Sequence, residues 1–443
     1  MPSANPMDPS ARMALRAQAG CELAKLEAQD AQWAGSGWTR RRFIGGLGMV
    51  GVAALGSQLV TSRAAYATGP AASTTNTVIV VFLRGAADGL RVLVPATTQL
   101  GYDYLQTVRS PLLPSGMVSL SGTNGWAVNP LMAPLTSTLW GTGELAFVPA
   151  MSSVGVTRSH FQAQQFLETG GQAGAPNGWL DRVLTQVGPG TTFRALSLGD
   201  TAPMSCAGAE PKITTPGLAE FVFPGWSDWI ATAEAAVGVL YRGVPAPLGQ
   251  DVPDALAALD TAAQIRAGGG AQNGAVYPDG AFSDALRDLA DTLRAEVGLQ
   301  VATVDVGGWD THTDEAGQLD YVLGDAASAL AAFMTDLGAT RRKRVTLVVM
   351  TEFGRRVEMN ASYGTDHGHG SVAWLLGGGL AGSGVRGSWT PLSDAALDDG
   401  DVPGLNDAFD VLGEIVQKRL GVGSLSTVFP GHTYRPLGLA TTL

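Results

Sequence analysis

Seven consecutive residues, Thr77–Leu83 (TVIVVFL), are β-branched or apolar with no polar alternation. A strand with one wet face alternates, so this run belongs in a sheet covered on both faces. It breaks at Arg84-Gly85-Ala86-Ala87-Asp88-Gly89, a tight polar turn. Residues 344–350 (RVTLVVM) repeat the pattern, and 144–149 (ELAFVP), 299–306 (LQVATVDV) and 371–376 read as further strands. Amphipathic helices separate the later ones. Ser283 is expected to cap a helix carrying Leu286, Leu289, Leu293 and Val297 on one face, ended by Gly298. Leu319, Val322, Ala326, Leu330, Phe333 and Leu337 mark the next, stopped by Gly338. Helix and apolar strand in alternation predict parallel crossovers and an α/β sheet sandwiched between helices. Residues 203–277, rich in Ala, Gly and Pro with helical patches at 226–240 and 252–266, read as a cap or insertion on the main domain of 77–443.

The N-terminus carries an address. Thr39-Arg40-Arg41-Arg42-Phe43-Ile44 fits a twin-arginine signal, and an uncharged Gly/Ala/Leu/Val stretch runs on to Ser62. Ala65-Tyr66-Ala67 is a small-x-small cleavage site, so residues 1–67 are expected to be removed and 68–76 to serve as a linker. The glycines and the cleavage site argue against a stable membrane anchor. The reading implies passage through the twin-arginine translocase and a periplasmic or secreted product. Initiation at Met7 or Met13 would shorten an n-region that is long for the class.

Cleavage would remove 7 of 28 basic and 4 of 39 acidic residues, leaving 21 against 35 and a net charge of −14. Such a surface repels nucleic acid and anionic lipid, which makes both poor candidates as partners. Cys206 is then the one remaining cysteine, so core packing rather than an internal disulfide holds the exported fold.

Ligands of α/β sheets bind beyond the carboxyl ends of the strands. The chain has five histidines, and four of them (His160, His312, His367 and His369) fall in segments of that kind; His432 lies near the C-terminus and reads as a surface residue. Asp88, Asp310, Glu352 and Asp366 occupy the same glycine-rich turns. Taken singly, each has a plain reading: Asp88-Gly89 as a turn, Asp310 or Ser159 as a helix cap. Asp366, His367 and His369 within four residues are costly to crowd together without a cation. Together the segments indicate a polar site built for a divalent metal, with Zn the best match to imidazole and carboxylate and Mn, Fe or Ca as alternatives.

The five segments FLRGAADGL (82–90), RSHF (158–161), GGWDTH (307–312), TEFGR (351–355) and GTDHGHG (364–370) resemble the bacterial domain-of-unknown-function family 1501. The resemblance runs from Thr77 to Gly431. That family is similar to a distant branch of the alkaline phosphatase and sulfatase superfamily, which implies an α/β/α sandwich, a mostly parallel central sheet and one or two metal ions. It implies Asp88 as a ligand, Asp310 and His312 as ligands of one ion completed by His367 or His369, and Glu352 as an acidic ligand of a second. Ser159 or Thr157 would stand in the nucleophile region; from position alone, Arg158, Arg355 and Arg84 are candidates to grip an anionic group. Two features depart from the superfamily pattern. Glu352-Phe353 stands where Asp-His is usual, and Cys206 is followed by Ala207-Gly208 rather than a formylglycine motif.

The expected activity is therefore metal-dependent hydrolysis of phosphate or sulfate esters outside the cytoplasm. The alternative is an exported binding or assembly protein, partnered by a co-encoded exported protein, that keeps the metal for structure.

Overall fold

The computed structural model describes residues 76–442, apart from 154–156, 173, 224–226 and 246–247. The signal segment, its cleavage site and residues 68–75 of the linker lie outside the described residues.

Strand β1 is Thr77–Leu83, with all seven residues buried as its apolar run requires. The short helix α1 (Gly89–Val92), β2 (Leu93–Pro95), α2 (Tyr102–Arg109), β3 (Val118–Ser119) and β4 (Trp126–Val128) follow. Strands β2, β4 and β3 make a small separate sheet. Helix α3 (Ala133–Leu139) leads into β5 (Leu145–Ser152), then α4 (His160–Glu168), α5 (Trp179–Val187), β6 (Ala195–Leu198) and β7 (Ile213–Thr215). Helices α6 (Ser227–Leu240), α7 (Leu248–Ala267) and α8 (Ala281–Arg294) precede β8 (Val301–Val306). Helix α9 (Glu315–Arg342), β9 (Val345–Met350), β10 (Ser371–Gly377), β11 (Gly384–Val385), β12 (Asn406–Asp407), α10 (Ala408–Leu420) and α11 (Leu425–Val428) complete the chain.

The main sheet runs β11-β5-β10-β9-β1-β8-β6-β7, with β12 also paired to β5. β1 is parallel to β8 on one side and β9 on the other, and β6 is parallel to β8 and β7. β10 departs from the expected pattern, being antiparallel to both β9 and β5. No helix separates it from β9, and an antiparallel return needs no crossover.

Alternation along β1 sorts the core into two layers. Ile79, Val81 and Leu83 pack with Leu135 of α3, Leu286 and Leu289 of α8, and Leu323, Leu330 and Phe333 of α9. Val78, Val80 and Phe82 pack with Leu180 and Val183 of α5 and with Val411, Leu412 and Ile415 of α10. The result is an α/β/α sandwich. Each fully buried Leu or Ile contributes about 1.5–3 kcal/mol.

Some boundaries differ from the sequence reading. α8 starts at Ala281, so Ser283 lies inside it, buried and with its Oγ unpartnered, and the helix ends at Arg294 before Gly298. Gly338 does interrupt α9, with φ 66° and ψ 165°, but helical turns resume as far as Arg342. By length and composition α9 could cross a membrane; here it is a core helix, with 61% of its most apolar window buried. The middle segment supplies α6 and α7 where helical patches are expected, and also β7, which edges the sheet.

Beneath α1, α2 and α9 sits a closed cluster of charge. Arg109 on α2 clasps both oxygens of Asp88, which also caps α1 by accepting from Leu90 N at 3.0 Å. Glu315, the first residue of α9, brings Oε1 to 3.7 Å from the same guanidinium, and its Oε2 accepts from Thr365 Oγ1 at 2.5 Å. Arg109 and Glu315 are fully buried and Asp88 nearly so. Two carboxyl groups facing one cation away from water cannot both ionise cheaply. Burial favours the neutral form of both, but Arg109 holds Asp88 below the ordinary carboxylate range. Burial, then the Asp88 charge, push Glu315 up to about 9. A raised folded-state pKa stabilises fully below the unfolded glutamate value, near 4.3, and that contribution is lost as pH climbs through about 9. Melting temperature should therefore fall from pH 5 to pH 9 in the wild type, and fall less in Glu315→Gln, which is neutral throughout. Equal slopes in the two proteins would show that Glu315 is ionised in the fold.

Candidate metal centre

Strands β5, β9, β1 and β8 point their carboxyl ends the same way, and antiparallel β10 begins on that side. Five motif segments meet there: 84–88, 157–160, 307–312, 351–355 and 364–370. Two of them zip together. Gly354 N donates to His369 O at 2.8 Å, Gly368 N to Gly354 O at 2.8 Å, and Arg356 N to Asp366 O at 2.9 Å. The glycines permit this closeness. A Cβ on Gly354 would lie 2.1 Å from Gly370 O, and one on Gly368 2.5 Å from the Arg355 carbonyl carbon.

The fully buried Arg355 then ties three segments. Its Nε donates to Ala86 O at 2.7 Å and its Nη1 to Thr365 O at 3.1 Å. Its Nη2 reaches Gly85 O at 2.6 Å, Trp309 O at 3.1 Å and Asp310 Oδ1 at 2.6 Å.

Around Asp310 the imidazoles converge. His160, Asp310 and His367 place one ligand atom each within 4.8 Å of the others. His160 Nε2 lies 3.4 Å from Asp310 Oδ2, and His367 Nε2 lies 3.1 Å from Oδ1. His312 Nε2 adds a fourth atom, 3.1 Å from Asp310 Oδ1 and 3.0 Å from His367 Nε2. Ligand atoms around a tetrahedral ion with bonds near 2.0–2.1 Å sit about 3.3 Å apart, which these spacings match.

The opposite ring nitrogens are anchored. His160 Nδ1 meets Glu352 Oε1 at 2.8 Å, His367 Nδ1 meets Arg158 O at 2.9 Å, and His312 Nδ1 is 3.4 Å from Asp366 Oδ1. Carbonyls and ionised carboxylates only accept, so they hold the protons on Nδ1 and turn the Nε2 lone pairs inward. Burial favours neutral Glu352, but its own backbone N–H, Gln164, His160 and Thr351 together keep it below the usual carboxylate range. Asp310 likewise resists burial and is lowered to about 2, chiefly by the hydrogen bond from Arg355, then by His367. His160 Nε2 is buried with no hydrogen-bond partner. Lone pairs facing one another around a carboxylate are what a cation satisfies, so the residues fit a divalent metal.

Asp310, His312 and His367 thus come together as a set. Glu352 stands one bond further out: Oε1 receives Gly85 N, His160 Nδ1 and Gln164 Nε2, and Oε2 receives Thr351 Oγ1. Asp366 reaches the set only through His312. Asp88 takes its partners elsewhere, in the buried Arg109 pair, because α2 brings that guanidinium to the turn. His369 has neither ring nitrogen bonded to the set. Thr157 Oγ1 bonds Gln162 Oε1 at 2.9 Å and accepts from Ser159 N at 3.3 Å, while Ser159 precedes α4 without capping it. Arg158 pairs with Asp399 at 3.2 Å and Asp401 at 2.9 Å, and Arg84 with Glu168 and Asp305. His432, expected at the surface, is largely covered and bonds Asp410 Oδ1 at 2.7 Å.

His160 is the candidate ligand that motif reading passes over. Its neighbours Thr157, Arg158 and Ser159 draw attention as nucleophile and anion grip, while the signal for His160 itself is only its place among four clustered histidines. Replacing Glu352 by Gln should weaken metal affinity about 10–100-fold by releasing the His160 proton. Asp310→Ala should abolish binding at this centre. Competition titration with a chelating dye reads both, and unchanged affinity in Glu352→Gln would remove that anchor.

A family model described as "Protein of unknown function (DUF1501)" matches residues 172–423, more than half of the chain. That span holds the 307–312, 351–355 and 364–370 motifs, while 82–90 and 158–161 fall before it. Among curated proteins, none matches. Similar solved structures include the zinc complex of the C-terminal periplasmic domain of EcEptC from Escherichia coli. It is 11% identical, covering 72% of this chain and 76% of that one at a TM-score of 0.31. PsFucS1 sulfatase from Pseudoalteromonas sp. is 12% identical, covering 82% and 73% at 0.32. Alkaline phosphatase from the Antarctic bacterium TAB5 is 11% identical, covering 70% and 94% at 0.27. Likeness this faint carries no weight for the chemistry, which rests on the geometry above. Matched over most of its sheet and through three of its five motifs, this chain belongs to the DUF1501 family.

Proposed function

We propose that this protein is an exported, metal-dependent hydrolase of phosphate or sulfate esters. The observation that carries the reading is the convergence of three anchored imidazoles on Asp310 at the carboxyl edge of the sheet. The set is open to solvent: the side chains of Asp310 and His312 are 48% and 40% exposed. Three imidazoles and Asp310 already make four ligands, so a catalytic ion here would take substrate as a fifth ligand on the solvent-exposed face. Imidazole-rich donors favour Zn, then Mn or Fe; Ca prefers an all-oxygen shell. Export rests on the twin-arginine signal of residues 39–44.

A divalent ion held there would supply Lewis acidity toward an ester oxygen and a nearby hydroxyl or water. The protein's own part is placement. Glu352, Asp366 and the Arg158 carbonyl fix the three rings, and Arg355 fixes Asp310. Thr157 and Ser159 lie within three residues of His160 and are the hydroxyls to test as nucleophiles. Activity retained in both Ser159→Ala and Thr157→Val would assign the attack to water.

A specific observation favours the second reading, an exported binding or assembly protein with a partner from the same compartment. Arg84 and Arg158 are already paired with carboxylates, and Arg355 is consumed by the backbone and Asp310. An anionic substrate must compete for them. Purified, metal-loaded protein should hydrolyse at least one of a chromogenic phosphomonoester, phosphodiester or sulfate ester. Asp310→Ala should lose about a hundredfold or more, given the several kcal/mol a metal supplies. Bound metal without turnover on all three, with a partner protein co-purifying, would favour the second reading.

A further inference from the structure

We propose a second cation subsite formed by His369 and Asp401 beside Ser152, separate from the Asp310 centre. Unpartnered buried atoms carry it. Both ring nitrogens of His369 are buried without a hydrogen-bond partner, although an imidazole always has something to donate or accept. Asp401 is 1% exposed, and its Oδ1 is likewise buried and unpartnered. Its other oxygen is satisfied by Arg158 Nη2 at 2.9 Å, while Arg356 Nε stays 3.8 Å from Oδ1, beyond hydrogen-bond reach. Buried polar groups are normally paired, and three buried atoms without a protein partner on two neighbouring side chains offer themselves to a ligand.

The backbone shows why they are neighbours. Gly370 N donates to Val402 O at 2.8 Å, laying the segment after Asp401 along the segment after His369. A Cβ built on Gly404 would stand 1.8 Å from Ser152 Oγ and 3.0 Å from His369 Cε1, which puts the hydroxyl at the edge of the ring. The His369 ring lies near enough to Asp401 to act on its carboxylate through space. One imidazole nitrogen, one carboxylate oxygen and one hydroxyl suit a divalent ion of the Zn or Mn kind. Glu352, the residue the family resemblance offers to a second ion, is instead filled by four donors. The subsite does not depend on the Asp310 centre binding metal.

The test is metal stoichiometry. The purified chain is loaded with Zn, passed through a desalting column and measured by elemental mass spectrometry, alongside His369→Ala, Asp401→Asn and Asp310→Ala. Two equivalents are expected in the wild type and about one in each variant. His369→Ala and Asp310→Ala together should hold none. A single equivalent that is lost in His369→Ala and kept in Asp310→Ala would also support the subsite, while overturning the first centre. A single equivalent lost in Asp310→Ala and kept in His369→Ala overturns the subsite and leaves the proposed hydrolase standing. Far-UV circular dichroism and melting identify a variant that fails to fold. For Asp401, which anchors Arg158, Ser152→Ala then serves as the second probe, expected to weaken the second equivalent without disturbing that ion pair.

Discussion

A guanidinium sealed inside a protein must find acceptors for its donors, and Arg355 finds them on three loops that sequence keeps far apart. Gly85 and Ala86 follow β1, Trp309 and Asp310 follow β8, and Thr365 belongs to the loop before β10. Four of those acceptors are backbone carbonyls, so the contact constrains chain path rather than side-chain choice. The planar fork of arginine suits this task, and a lysine at the same place would offer a single point of attachment. Once the loops are fixed, Asp310 has one position, and the imidazoles can be arranged around it.

Rigidity then passes outward through the rings. Each of the three imidazoles is held at Nδ1 by a group that cannot donate, and each presents Nε2 to the same carboxylate. Such a set is costly without a positive charge in its midst, because acceptors at 3.0–3.4 Å repel. The cost is tolerable because two of the three supports, the Arg158 carbonyl and the buried Glu352, are formed as part of the fold.

The sheet was legible because burial on both faces leaves a mark on composition: Thr77–Leu83 and residues 345–350 have no charged residue to place outside. Short edge strands such as Ile213–Thr215 leave no such mark, since three residues cannot show a period. The antiparallel sense of β10 was hidden as well, because strand direction lies in the connection and the 351–370 loops look like any polar turn. In the site, His312 and His367 stood out as members of a rare residue type clustered after strands, with Asp310 beside them. His160 did not, because its role depends on Glu352, nearly two hundred residues away.

Asp88 and Asp310 show where local pattern stops deciding. Both follow buried parallel strands, and both lie in glycine-rich turns. Their fates differ through what the fold brings to each. Asp88 is nearly inaccessible and receives the whole guanidinium of Arg109, with Glu315 pressed against the same charge. Asp310 is half exposed and shares Arg355 with four carbonyls, leaving its oxygens in reach of three imidazoles. A carboxylate already neutralised in a closed space has no affinity left for a metal, whereas one lowered to about 2 but open to solvent keeps its charge for a ligand. The distinction is set by α2, whose Arg109 is delivered to Asp88 by a helix that no motif contains.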